Sequence, residues 1–280
     1  MSQWLDPLQR GSLLHQVFCR FVQELIQKGE RAKFEKHMGR LEAIAMEEVE
    51  RWKEEVPPAS ELAFSREMKE IKQTMEIFLR EEVERSKSVE PMYLELSFGT
   101  GSESSCGAVE DEPVEIPIKG KGSFKLRGRI DRVDRSGEHE YEVWDYKTGS
   151  AYGYKELGYL NKGRHLQHAL YALAAEKILR NKQDEKARVV LSGYFFPGPK
   201  GEGQKIRKSQ QNREELYEVL SDLFDLLRSG VFPTSADKDA CGICDYSAIC
   251  GGEDVAPSRS KQKLETSTKM EPLKRLMKHE

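Results

Sequence analysis

Two extended runs joined by a tight turn constrain this chain more than any other feature. SFKLRGRIDRVDR (residues 123–135) and HEYEVWDYK (139–147) both mix β-branched, aromatic and charged residues, and Ser136-Gly137 falls between them. Such a pair reads as an antiparallel hairpin. In the second run side chains alternate across the strand, so Tyr141, Val143, Asp145 and Lys147 share one face. Asp145 and Lys147 are therefore neighbours, and Asp131 on the first run can meet Asp145 across the hairpin. A slip of one residue in register would turn Asp131 to the other face.

What surrounds the hairpin sets the fold class. Leu13, Leu14, Val17, Phe18, Phe21, Val22 and Leu25 keep a helical period that Gly29 ends. A second helix is expected over about 31–54, before Pro57-Pro58, and a third from a Ser60 cap to about 86. From Pro91 the texture changes: MYLELSF (92–98), VEIPI (114–118) and RVVLSGYFF (188–196) read as further strands. Helices are expected over about 163–181 and 210–229. The sum is an α/β fold with a mixed β-sheet flanked by helices and a helical N-terminal region. The expected organisation is a helical region over 1–90, a sheet over 91–200, a C-terminal helix with a cysteine cluster over 201–255, and a charged, mobile tail over 256–280.

Charged residues make up 33% of the 280 residues and hydrophobic ones 38%, which fits a folded chain with a heavily charged surface. No apolar run approaches the roughly 20 residues of a membrane span, and MSQWLDPLQRG lacks the regions of a signal peptide, so a cytoplasmic location is expected. A net charge of −3 neither supports nor opposes nucleic-acid binding, which needs only a local positive strip.

Two carboxylates converging on one point suit a hard divalent cation such as Mg²⁺ or Mn²⁺. A lysine beside them can stabilise charge growing on a phosphate. The plain alternative is a solvated, charged strand end, since Asp/Glu-x-Lys triplets arise often by chance in so charged a chain. The glycine-rich stretch 99–107 does not match the phosphate-binding loop G-x-x-x-x-G-K-[ST]. Any ATP-driven motor would lie on a partner or elsewhere in a longer chain.

Cys241, Cys244 and Cys250 give the spacing C-x2-C-x5-C, a metal-ligand pattern for which zinc is the generic choice. Five cysteines in a cytoplasmic protein point away from disulfides. Cys19 is expected to pack in the core as a small apolar residue, four positions after His15.

Taken in order, Gly11-Ser12-Leu13-Leu14-His15, Glu95, Gly128-Arg129-Ile130-Asp131-Arg132-Val133-Asp134, Asp145-Tyr146-Lys147-Thr148-Gly149, Gln167-His168-Ala169-Leu170-Tyr171 and the late cysteines make a pattern. It resembles the RecB-type branch of the PD-(D/E)XK nucleases, which includes the B subunit of AddAB-type helicase–nucleases and the iron–sulfur nucleases of CRISPR adaptation. The resemblance spans residues 11–250 and implies a restriction-endonuclease-like fold and a Mg²⁺- or Mn²⁺-dependent deoxyribonuclease, an exonuclease of DNA repair or recombination. It implies Asp131 and Asp145 as metal ligands, the Tyr146 carbonyl as a third oxygen, His15 as a further ligand and Lys147 as the catalytic lysine. Gln167 and Tyr171, one helical turn apart, would touch substrate. Glu95 would stand behind the ligands or be only a strand-edge charge, and Asp134 would orient arginine side chains or the hairpin.

Without the resemblance, His15 and Tyr171 read as ordinary core or surface residues. For the late cysteines the resemblance implies an early fourth, the four together holding a [4Fe–4S] cluster. No cysteine precedes Gly11, so the cluster is expected to be incomplete in this chain and the chain a piece of a longer protein. DNA and a helicase subunit or further domain are the implied partners. The competing expectations are a non-catalytic module of the same fold that binds DNA or a partner, and a zinc-stabilised interaction domain.

Overall fold

The structure is a computed structural model that describes residues 3–101, 106–155, 158–211, 213–232, 234–235, 238–242 and 244–279. The chain divides into two compact units: Met1–Ile116, Phe124–Glu156 and Gln167–Gln211 form the first, and Pro117–Ser123, Leu157–Leu166 and Asn212–Glu280 the second.

The first unit opens with three helices, α1 (Pro7–Lys28), α2 (Phe34–Glu55) and α3 (Glu61–Arg85). Asp6 caps α1 through the Leu8 and Gln9 N–H groups in a reciprocal capping box, with Pro7 at the first position. Gly29 closes the helix in the left-handed conformation at φ 61°, which a residue with a Cβ adopts only at a cost. Ser60 caps α3 by accepting from the Ala63 N–H at 3.2 Å. The apolar face of α1 packs Phe18 on Phe78 of α3, ring centroids 4.0 Å apart, and both meet the edge of Tyr146. The core therefore reaches from the helices to the strand that carries the Asp-x-Lys pair.

The strands are β1 (Glu90–Phe98), β2 (Val109–Glu110), β3 (Val114–Ile118), β4 (Gly122–Leu126), β5 (Gly128–Gly137), β6 (Glu140–Tyr146), β7 (Arg188–Phe196) and β8 (Gln204–Ser209). Among the described residues β2-β1-β5-β6-β7-β8 is the order of one sheet, and β3 pairs with β4 in a second. The single run read from sequence over 123–135 is thus two strands that part at Arg127. The hairpin β5–β6 is antiparallel, with Arg132 opposite Trp144 and Val133 opposite Val143. After β6 come the short α4 (Tyr152–Lys155) and α5 (Gln167–Lys182), and β7 then lies parallel to β6, which makes the sheet mixed. β8, on the edge beyond β7, was not visible in the sequence pattern.

One departure concerns the cysteines. Cys19 is buried as expected, but it is bonded to Cys106 in a disulfide, where the cysteine count pointed to free thiols. The bond joins α1 to the loop after β1, two segments 87 residues apart whose closeness no local pattern announces.

The second unit holds α6 (Glu214–Arg228), α7 (Lys238–Gly242), α8 (Ser247–Cys250), α9 (Gly252–Thr266) and α10 (Glu271–Leu276). The segment expected as a tail is helical over α9 and α10, with Ala256, Met270 and Leu276 buried. No helix of the described residues is long and apolar enough to cross a membrane.

Candidate active site

Asp145 stands one residue before the end of β6, and Lys147 follows where its backbone N–H still donates to the Phe195 carbonyl of β7 at 2.8 Å. Continuing the β5–β6 register by one step sets Asp131 opposite Asp145. The expected juxtaposition of the two carboxylates is what the structure contains. Asp131 is held further by its Oδ2, which accepts from the Tyr146 N–H at 2.6 Å.

Glu95 arrives from β1. Leu94 pairs with Arg132 and Leu96 with Ile130, so Glu95 falls opposite Asp131. Its φ of 45° is a left-handed kink inside a strand, a strained conformation for a glutamate. The side chain is buried, only 2% exposed. α1 brings His15 above them: Nδ1 lies 3.2 Å from Glu95 Oε1 and 3.5 Å from Asp131 Oδ1, and Nε2 lies 3.3 Å from the Tyr146 carbonyl.

Lys147 Nζ lies 2.6 Å from Asp145 Oδ2, donates to Gln167 Oε1 at 3.3 Å, and sits 5.6 Å above the Tyr194 ring. Gln167 is the first residue of α5, and Tyr171 stands a turn later, its ring edge-on to Phe98. Tyr171 also explains Gly128, where a Cβ would stand 3.0 Å from the tyrosine hydroxyl. His15, Asp131, Asp145, Tyr146, Lys147, Gln167 and Tyr171 all line one cleft of about 390 Å³, with Pro7, Leu8 and Arg129 at its walls. Glu95 contributes from beneath.

Burial and the neighbouring Asp131 push the Asp145 carboxyl up to about 6, against the pull of Lys147. Burial alone would lower His15, but the Asp131 and Glu95 carboxylates outweigh it and hold the imidazole well above its usual value. Lys147 is likewise raised, burial being overcome by the charge of Asp145.

Two buried carboxylate oxygens, Glu95 Oε2 and Asp145 Oδ2, complete no hydrogen bond. Arg129 Nε at 3.0 Å and Lys147 Nζ approach them as ion-pair partners from unsuitable angles. Buried acceptors of this kind demand a compensating group. Oxygen-rich donors with one imidazole suit a divalent cation, so the residues present fit such an ion. The donor atoms of His15, Glu95 and Asp131 lie within 4.8 Å of one another. The set expected from sequence was His15, Asp131, Asp145 and the Tyr146 carbonyl. Asp145 lies outside the tight group, its carboxylate engaged with Lys147, and Glu95 stands within it.

Sequence reasoning missed the charge network beneath the site. Arg132, fully buried, donates to Glu82 of α3 at 2.6 and 2.9 Å, to Asp134 at 2.6 Å, and lies 3.4 Å from the Tyr146 hydroxyl. Arg85 of α3 donates to Asp134 at 2.6 Å and covers the Trp144 ring. Asp134 thus orients arginines, as expected. Glu82 and Arg85 carried no sequence signal beyond their helical setting.

Cys241, Cys244 and Cys250 lie on and between α7 and α8, partly exposed and outside any disulfide. Among the described residues their sulfurs do not form a three-ligand group, and Cys19 and Cys106 are bonded to each other. The cysteines present therefore do not complete a four-thiolate cluster.

The fold is thus a mixed sheet flanked by helices that bears paired aspartates and a lysine where β6 ends. The sequence model of the PD-(D/E)XK nuclease superfamily matches residues 2–251, and the chain belongs to that superfamily. Its members are nucleases that commonly use divalent metals, and nucleic acid is the substrate its fold implies. No protein of curated function matches the chain.

Proposed function

We propose that the chain is a Mg²⁺- or Mn²⁺-dependent deoxyribonuclease of the RecB-type branch, acting as an exonuclease in DNA repair or recombination, with residues 1–255 as its nuclease domain. The observation that carries this reading is the meeting, in one cleft, of the His15–Glu95–Asp131 group and the Asp145–Lys147 pair.

Asp131, Asp145, His15 and the Tyr146 carbonyl would hold the cation, with Glu95 as a further donor or as the acceptor that orients His15. A bound cation supplies Lewis acidity at a phosphate oxygen and lowers the pKa of a water molecule. Lys147, kept in place by Asp145 and Gln167, points its ammonium group at charge developing on the phosphate. Gln167 and Tyr171 position the strand. Water forms the new bond to phosphorus as the bond to the sugar oxygen breaks, and no covalent enzyme intermediate is needed. Asp131 and Asp145 are only 8% and 7% exposed at the floor of the cleft, which favours a strand presented by its end. No step draws on Cys241, Cys244 or Cys250, whose role is structural. A motor, where the module works with one, comes from a helicase subunit or a further domain.

The test is cleavage of end-labelled single- and double-stranded DNA with Mg²⁺, Mn²⁺ or EDTA, beside the Asp145→Asn and Lys147→Ala proteins. Metal-dependent cutting lost in both variants is the expected result. Full activity in either would overturn the assignment.

A further inference from the structure

From Phe124 to Ile130, across the end of β4, the break at Arg127 and the start of β5, burial alternates along the chain. Phe124, Leu126, Gly128 and Ile130 turn inward or lie half-buried, while Lys125, Arg127 and Arg129 are all exposed. They stand at alternate positions of the chain, Lys125 on β4, Arg127 at the break between the strands and Arg129 on β5, and so make one row along the backbone. The row ends at the cleft, because Arg129 is part of its wall and Asp131 follows two residues later. In a chain of net charge −3 this is a local concentration of positive charge.

The partners of these cations are as informative as their positions. Arg129 leans on Glu95 with its side chain still 54% exposed. Lys125 and Arg127 have no hydrogen-bond or ion-pair partner among the described residues, whereas basic groups elsewhere on the sheet are engaged. On the edge strand β8, for instance, Lys205 pairs with Glu81 and Arg207 lies over Trp144. At the end of the row, Leu8 of α1 is 83% exposed on the cleft wall, an apolar contact for a base.

We propose that Lys125, Arg127 and Arg129 form a phosphate track that feeds a single DNA strand into the cleft. This rests on the nuclease reading of the site and adds to it where, and in what form, substrate approaches. Cations at every second position of the chain leading to the cleft suit the repeated charges of one backbone. The carboxylates, buried at the floor of the cleft, are also reached by a threaded strand more readily than by a duplex. Binding through the track is electrostatic and so depends on salt, each phosphate neutralised on a single strand contributing roughly 0.7 to the slope of log K against log salt.

The experiment measures fluorescence anisotropy of labelled oligo-dT in EDTA from low to moderate salt, with the intact chain, the Lys125→Gln/Arg127→Gln double variant and a Lys69→Gln control on the exposed face of α3. The double variant is expected to bind about tenfold more weakly at 0.1 M salt, with a slope smaller by roughly 1.4. The control should bind as the parent does. A double variant with unchanged affinity and slope overturns the track, even when the intact protein cuts DNA in the presence of metal. An equal loss on blunt duplex overturns the single-strand assignment. Weaker oligo-dT binding in a protein that cuts nothing upholds the track and rejects the nuclease reading instead.

Discussion

The Tyr146 N–H donates a 2.6 Å hydrogen bond to Asp131 Oδ2, so the carboxylate of β5 is locked to the residue that separates Asp145 from Lys147. Asp131 therefore follows any movement of the end of β6, and its charge is held beside Asp145 whether or not a cation is present to separate them.

That proximity has a pH signature in the metal-free protein. Burial and Asp131 raise the Asp145 carboxyl to about 6, above the value near 4 of an unfolded chain. Between these values the folded state holds a proton that the unfolded state has released, so stability falls as pH rises from about 4 to 6 and stays lower above. Asp145→Asn removes the penalty. In EDTA at pH 8 it is expected to be more stable than the parent by at most about 3 kcal/mol, with no difference at pH 4. Urea unfolding at the two pH values measures this. A variant no more stable at pH 8 would show that Asp145 is not repelled.

Divalent cations should reverse that balance. Mg²⁺ or Mn²⁺ at 100 times its dissociation constant is expected to stabilise the parent by about 2.7 kcal/mol, seen as a rise in melting temperature that EDTA abolishes. Glu95→Gln keeps the shape but lowers the charge of the His15–Glu95–Asp131 group. It should retain the fold and shift the response to at least tenfold higher metal. Titration calorimetry separates the cases: an unchanged affinity leaves Glu95 as a support for His15 only.

How much of this was legible in the sequence varies with the range of the interactions. The periods of α1 and α3, the Ser60 cap and the Gly29 stop are local, and they read directly. The hairpin and the pairing of Asp145 with Lys147 also follow from alternation. The placement of Asp131 was ambiguous by one residue because Ile130 and Val133 are three apart and break the alternation. The structure settles it through the β5–β6 pairing, in which Arg132 opposite Trp144 sets Asp131 opposite Asp145. That Arg132, Asp134, Glu82 and Arg85 form a buried network was not legible, because burial of a salt bridge depends on partners about 50 residues away. The Cys19–Cys106 bond was hidden for the same reason.

The buried network makes a further expectation. Asp134 is wholly buried, which by itself would raise its carboxyl, yet Arg132 and Arg85 hold it below its usual value. Its stabilising contribution is present above the unfolded value near 4 and is lost as pH falls through the lower folded value. Asp134→Asn leaves Arg132 and Arg85 short of a buried counter-charge and should cost about 3 to 5 kcal/mol at pH 7. Chemical denaturation at pH 7 and pH 2.5 checks both the size and its decline in acid. A loss below about 1 kcal/mol would mean that the arginines find other acceptors.

The disulfide bears on the site through the segments it joins. Cys19 lies one helical turn beyond His15, and Cys106 precedes Gly107, which packs so closely on the Glu95 carbonyl that a Cβ would stand 2.2 Å from it. The bond thus ties the helix of one candidate ligand to the backbone of the other. Closing a loop of 87 residues corresponds to about 4 to 5 kcal/mol by the chain-entropy argument. The oxidised protein should show three thiols to a labelling reagent after unfolding, those of Cys241, Cys244 and Cys250, and five after reduction. Reduction, or Cys19→Ser with Cys106→Ser, should lower the melting temperature and weaken Mn²⁺ binding. Five thiols in the unreduced protein would remove the bond, and unaltered Mn²⁺ affinity after reduction would confine its role to stability.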